Sequence, residues 1–168
     1  MKKLHAFVVL TAVLVAMLVA GAHVVLAQPD PHNVFQMLSG LQGNWVGKGS
    51  EGRPIEVSFR MTAGGSALMN EIHGEGHENM ITMFHMDGDR LMMTHYCGVG
   101  NQPRMKLISA DAKSASFEFF DGTNIKPGDG HMQRVTFAQA ESGRHTEEWV
   151  FLDHGTEHKE VFTLERAK

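Results

Sequence analysis

Cysteine is almost absent from this sequence: Cys97 is the only one among 168 residues. No internal disulfide can therefore form, and a folded domain must depend on its hydrophobic core. Cations are also scarce relative to anions, with 15 Lys and Arg against 19 Asp and Glu. This balance argues against nucleic acid or an anionic membrane surface as a partner.

Three catalytic signatures are missing as well. His77-Glu78 is not followed by the second His of a zinc-protease helix. The segment Gly98–Gly100 lacks the third Gly of a dinucleotide-binding loop, and its setting is not strand–helix–strand. No Gly-x-Ser-x-Gly elbow occurs. We therefore assign no catalytic residues, and we expect a binding protein without a cofactor rather than an enzyme.

The N-terminal segment has the composition of a secretory signal peptide. Lys2 and Lys3 precede an apolar run that extends from Ala6 to Ala27. We predict that residues 1–27 are removed, which would take away two Lys and no acid and leave a net charge of −6. The remaining domain would be periplasmic or secreted and without stable membrane contact. The alternative is an uncleaved anchor, since the run is long enough to span a bilayer.

A single helix is predicted at the start of the domain that follows, residues 28–168. Asp30 is a typical N-cap, and Pro31 suits the first helical position. Apolar residues then recur at helical spacing as far as Leu41. The helix is expected to end near Gly40 or Gly43.

The rest of the domain alternates apolar and polar residues with the period of β-strands. Phe117 and Phe119, for example, alternate with Ser116 and Glu118. Short turn-forming links separate such runs at the spacing typical of a sandwich or barrel. Because nearly every link is hairpin-sized, we predict an all-β, ten-stranded antiparallel up-and-down barrel. Its strands are expected near 44–50, 54–63, 66–73, 78–86, 89–97, 102–109, 113–120, 131–139, 145–152 and 157–166.

The first predicted strand carries a Gly-x-Trp pattern, Gly43-Asn44-Trp45, just after the helix. This resembles the calycin superfamily of lipocalins, fatty-acid-binding proteins and nitrobindin-like barrels. The resemblance implies that Trp45 plugs one barrel end and that Arg166 lies over it. The blocks MTAGGSAL, THYCGVGNQPRM and GTNIKPGDGHM look like an uncharacterised family of exported bacterial proteins, which brings no activity to transfer.

Ten strands and a tight first turn are more similar to the nitrobindin-like barrels than to fatty-acid-binding proteins. The haem-ligating His of nitrobindin precedes a terminal Leu-x-Arg. Here His158 precedes Leu164-Glu165-Arg166, but its spacing differs by about one residue, which would move it to the other face of a strand. The resemblance therefore does not carry haem binding over to this chain.

A hairpin decides which side chains reach the barrel interior. A two-residue type I′ turn at Asp87–Gly88 would put Phe84, Met93 and His95 on one apolar face. A three-residue turn would bring His85 to that face instead. We predict the two-residue turn, in which Met86 pairs with Asp89.

From these faces we predict an interior pocket that binds a small, largely apolar ligand. Tyr96, Asn101 and Arg104 would form a polar mouth, since an Arg fork suits a carboxylate; alternatively, Arg104 faces solvent. The predicted lining residues are Phe84, Met93, His95, Phe117, His131 and Phe137.

Other interpretations stay open. His95 or His131 could ligate haem in an enzyme or sensor, or His95 could be a hydrogen-bonded interior residue and His131 a strand-edge one. The barrel could also be a structural module, and an outer apolar strip of Ile81, Met83 and Met92 would favour a homodimer.

The C-terminal hairpin is rich in acidic residues. His145, His154 and His158 are expected at the surface among these acids, and Trp149 in packing rather than in a ligand site.

Overall fold

The computed structural model describes residues 29–74, 78–140 and 143–168, so the predicted signal peptide lies outside the described residues. They form one α-helix, one 3₁₀ turn and ten strands. No helix in this described part is long and apolar enough to cross a membrane. The elements are α1 Pro31–Ser39, β1 Gly43–Lys48, β2 Pro54–Thr62, the 3₁₀ turn Ala63–Gly65, β3 Ala67–Gly74, β4 Met80–Asp87, β5 Arg90–Tyr96, β6 Gln102–Ala110, β7 Ser114–Thr123, β8 His131–Ala140, β9 Arg144–Asp153 and β10 Thr156–Arg166.

The strands close into one up-and-down barrel. Each strand lies beside the next in sequence, and β1 pairs antiparallel with β10 to complete the ring. The predicted all-β class, strand number and topology are confirmed. The largest difference in strand limits is in β7, which was predicted to end near residue 120 and continues through Thr123.

Helix α1 begins and ends where the sequence indicates. Asp30 Oδ1 accepts a hydrogen bond from the His32 amide at 2.9 Å, and the Gly40 amide donates back to the Gln36 carbonyl at 3.1 Å. Val34 and Leu38 are its buried residues. The helix packs beside β2, β4 and β5 and so covers one end of the barrel.

Trp45 and Arg166 lie together at this covered end. Trp45 is 3% exposed, and its Nε1 donates to the Leu41 carbonyl at 2.7 Å. The Arg166 guanidinium carbon lies 4.4 Å from the centroid of the Trp45 ring. Its Nη1 donates to Gln42 O at 2.8 Å and its Nη2 to Gly40 O at 3.2 Å. One arginine thus ties the last strand to the loop after α1 and covers the indole with a cation.

Gly47 allows β1 and β10 to close the barrel. A Cβ atom at this position would lie 1.9 Å from the backbone oxygen of Thr163. Any side chain would therefore push β10 away, at the seam where the sheet meets itself.

The β4–β5 turn lies one residue later than predicted. Asp87 pairs with Arg90, so the two loop residues are Gly88 and Asp89. Gly88 has a φ of +59° and Asp89 is not among the residues of positive φ. This fits a type II′ turn, with Gly at its first central position, rather than the predicted type I′.

The shifted turn leaves the predicted faces unchanged. Moving the loop by one residue changes the pairing by two, which preserves the alternation of the side chains. Phe84 pairs with Met93 and Thr82 with His95, and all four are completely buried. The predicted interior face of this hairpin is therefore present, although Met86 pairs with Leu91 and not with Asp89.

Candidate functional site

An apolar cavity of about 430 Å³ occupies the end of the barrel opposite α1. It lies where β2, β4 and β10 begin and where β3, β5 and β9 end. This volume is within the range of small-molecule sites, roughly 300–1,000 Å³. Its lining residues are Ile55, Ile72, Glu78, Met80, His95, Cys97, Gly98, Val99, Met132, Trp149, Phe151, Glu160 and Phe162.

His95 is the polar group of the cavity wall that is fully removed from solvent. Its Nδ1 lies 2.9 Å from Thr82 Oγ1 on the neighbouring strand. Its Nε2 is buried and has no hydrogen-bond partner among the described residues. A buried polar atom without a partner costs free energy, on the order of 1–3 kcal/mol. His95 therefore brings one unmet hydrogen-bonding group to a wall that is mainly apolar and carries Cys97 and two carboxylates, Glu78 and Glu160, besides.

Burial also determines the charge of His95. Removing the imidazolium from water lowers the pKa of His95 from 6.5 to about 4. At neutral pH the ring is uncharged, with one nitrogen as donor and the other as acceptor. Which of these roles Nε2 takes depends on whether the Thr82 hydroxyl donates to Nδ1 or accepts from it.

Trp149 forms a rigid wall next to His95. The two ring centroids are 4.9 Å apart, and the planes are inclined by 41°. The indole Nε1 donates to Glu147 Oε2 at 3.0 Å, and His145 Nε2 lies 3.2 Å from Glu147 Oε1. This chain of contacts fixes the orientation of the indole, so the wall is preformed.

His145 and Glu147 are both fully buried, so the prediction that His145 lies at the surface is wrong. Of the acidic neighbours that suggested exposure, Glu147 is buried with His145, whereas Glu148 points the other way and pairs with Lys159 at 2.8 Å on the outside. A signal was present in the sequence: residues 145, 147 and 149 share one face of a strand, and Trp149 was expected to pack. His154 and His158 are exposed, as expected.

The mouth of the cavity carries Cys97 and two carboxylates. Burial raises the pKa of the Cys97 thiol, which keeps it protonated. Glu160 Oε1 accepts from the Ser50 amide at 2.8 Å, while Glu78 is exposed. Val99, 62% exposed, forms an apolar edge. The mouth is thus acidic.

Of the six residues predicted to line the pocket, His95 does so. Phe84, Met93, Phe117 and Phe137 also face the interior, but they fill the part of the barrel nearer α1. Phe84 lies 5.3 Å from Phe137 and 5.7 Å from Phe117, measured between ring centroids. Met93 is completely buried with them. These rings pack edge to face with one another and are buried beneath the cavity.

His131 does not line the cavity, because strand β8 is not regular. A register shift between Met132 and Arg134 places Met132 in the cavity wall instead. The His131 ring packs on Phe119 with centroids 4.3 Å apart. Its Nδ1 lies 3.0 Å from Asp129 O and its Nε2 3.1 Å from Gln133 Oε1, so both ring nitrogens lie against protein oxygens, of which a neutral ring can donate to one.

The predicted polar mouth is not assembled either. Tyr96 is 49% exposed and Asn101 is buried, donating from Nδ2 to Gly130 O at 2.8 Å. Arg104 forms a two-pronged ion pair with Asp121 on the outer surface. None of these three contributes to the cavity wall. Arg104 is therefore satisfied by a neighbouring strand and does not offer its fork to a ligand.

The outer strip on the β4–β5 hairpin is interrupted. Ile81 is 37% exposed, but Met92 is only 4% exposed.

Within the described residues, no three His, Cys, Asp or Glu side chains converge to hold a metal ion. Neither the known protein-family models nor the curated proteins contain a match to this chain.

Proposed function

We propose that the domain binds a small, largely apolar ligand in the cavity at the open barrel end, without catalysis. The observation that carries this proposal is the buried, unpaired Nε2 of His95 beside apolar walls. A ligand with one polar group would satisfy that nitrogen after a small shift of the His95 ring uncovered it, while the apolar body of the ligand displaced water from the walls. The Met side chains Met80 and Met132 would adapt the wall to the ligand shape.

Two further parts of the proposal concern origin and family. The ten-stranded closed barrel is consistent with a calycin-like fold, in which an interior site would be the ordinary place for a ligand. Export through the signal peptide would put this site outside the cytoplasm, where the chain has no disulfide and depends on its core.

Binding is tested by titrating an environment-sensitive apolar dye into the purified domain and displacing it with alkyl ligands. Ile55→Phe should reduce the cavity, and His95→Leu should remove its polar group; we expect each to weaken binding at least about tenfold. Phe84→Leu is the matched control, because Phe84 is equally buried but lies outside the cavity wall. The absence of saturable dye binding by the wild type would leave the structural-module interpretation ahead.

Haem is the second candidate ligand. The unpaired Nε2 of His95 would hold the haem iron, whereas both ring nitrogens of His131 lie against protein oxygens and His131 does not line the cavity. Bound haem would supply redox and gas-binding chemistry, while His95 would hold the group and the apolar walls would exclude water. A haem titration of wild type and His95→Leu decides this. A Soret band that is unchanged by His95→Leu, or absent from both, would exclude His95 as a haem ligand.

A further inference from the structure

The charge pattern of the cavity limits which ligands it can accept. We infer that the site selects amphiphiles with a neutral or cationic head group and rejects anionic ones such as fatty-acid carboxylates. This inference rests on the proposed ligand-binding function and names the chemical class of its ligand.

The cavity wall contains two carboxylates and no Lys or Arg among the described residues. Glu78 and Glu160 both line it on the side of the mouth. The Ser50 amide binds Glu160 Oε1 and orients that carboxylate without neutralising it with a full charge. A head group at the mouth would therefore experience a negative potential.

Cations next to the mouth strands have acidic partners other than Glu78 and Glu160. Arg53 forms an ion pair with Glu51, and Lys159 Nζ lies 2.8 Å from Glu148. Arg104, the predicted carboxylate clamp, is paired with Asp121 on the outer surface. Each of these positive charges already has an acidic partner.

The deep end of the cavity is equally unsuited to an anion. His95 is uncharged at neutral pH, and its surroundings are apolar or aromatic. A carboxylate placed there would lose its hydration and gain at most one hydrogen bond, from His95 Nε2 in the tautomer where that nitrogen carries the proton, which does not compensate the loss. A hydroxyl or carbonyl group would lose far less on the same transfer. Anions are thus disfavoured at both ends of the site.

The test uses three ligands with the same ten-carbon chain at pH 7: decylamine and decanoate below their micelle concentrations, and decan-1-ol below its solubility limit. Displacement of the apolar dye should follow the order amine, alcohol, carboxylate. We expect the amine to bind about tenfold or more tightly than the carboxylate at low salt. Added salt should reduce that ratio, because exposed charges at the mouth are screened.

Variants assign the preference to the mouth. Glu160→Gln keeps an oxygen that can accept from the Ser50 amide, and Glu78→Gln is isosteric. Each variant should lower the ratio of the affinity for decylamine to the affinity for decanoate. Glu165→Gln is the control, since Glu165 is an exposed residue of the same strand that does not line the cavity. Equal affinities for decylamine and decanoate in the wild type would overturn the charge inference but leave ligand binding intact. Dye binding that none of the three displaces would instead contradict the proposed function.

Discussion

Acid should destabilise this protein through His95. In the folded state burial lowers the pKa of His95 to about 4, whereas the unfolded chain has the ordinary value of 6.5. As the pH falls below 6.5, His95 therefore becomes protonated in the unfolded state while it stays neutral in the folded state. Stability contributed by the neutral ring is complete above pH 6.5, declines between pH 6.5 and 4, and is lost below that range.

The size of the effect follows from the two pKa values. One pKa unit corresponds to about 1.4 kcal/mol, so the difference between 6.5 and about 4 amounts to about 3 kcal/mol. His95 is completely buried, so solvent does not screen this contribution. A loss of this size is a large part of the stability of a typical domain, about 5–15 kcal/mol.

Urea denaturation, followed by circular dichroism at several pH values from 7 to 4, measures the loss. His95→Gln retains a hydrogen-bonding group towards Thr82 but does not titrate. Between pH 7 and pH 4 the free energy of unfolding of the wild type should therefore fall by about 3 kcal/mol more than that of His95→Gln. Phe84→Leu is a buried, non-titrating control that should show the same pH slope as the wild type. Parallel curves for wild type and His95→Gln would refute the argument that His95 is held neutral.

Two further outcomes are expected. Trp45→Ala should lower the free energy of unfolding by about 3–5 kcal/mol, because a buried indole and its hydrogen bond to Leu41 are lost; exposed Glu56→Ala should stay within about 0.5 kcal/mol. Identical denaturation midpoints for Trp45→Ala and wild type would contradict the end-plug role. The intact mass of protein recovered outside the cytoplasm should equal that of a chain beginning at Gln28. A mass that includes residues 1–27 would indicate an anchored protein instead.

Local sequence was sufficient for the elements of this barrel. The alternation in segments such as Phe117–Phe119 produces strands because successive side chains on an extended backbone point to opposite faces. Asp30 and Pro31 begin the helix through local hydrogen bonding and a fixed φ. Although the β4–β5 turn was predicted one residue too early, the predicted inward and outward side chains of this hairpin are correct, because a two-residue change in pairing preserves the alternation.

What the sequence could not supply was depth along the barrel axis. The alternation of side chains along each strand shows that Phe84 and His95 both point inward. Only the closed barrel shows that Phe84 packs against Phe117 and Phe137, while His95 lies in the cavity wall. Cavity residues such as Ile55 lie close to the strand ends opposite α1.

Tertiary structure alone also decided the polar groups. The irregularity in β8 exchanges His131 for Met132 in the wall, and no local pattern announces a bulge of this kind. Arg104 is taken by Asp121 on the neighbouring strand, a pairing set by register between strands. The sequence by itself therefore determined which residues form strands and, apart from His131 and His145, which side chains turn inward. The closed barrel decided which inward groups fill the core and which remain available to a ligand, because that depends on contacts between strands distant in sequence.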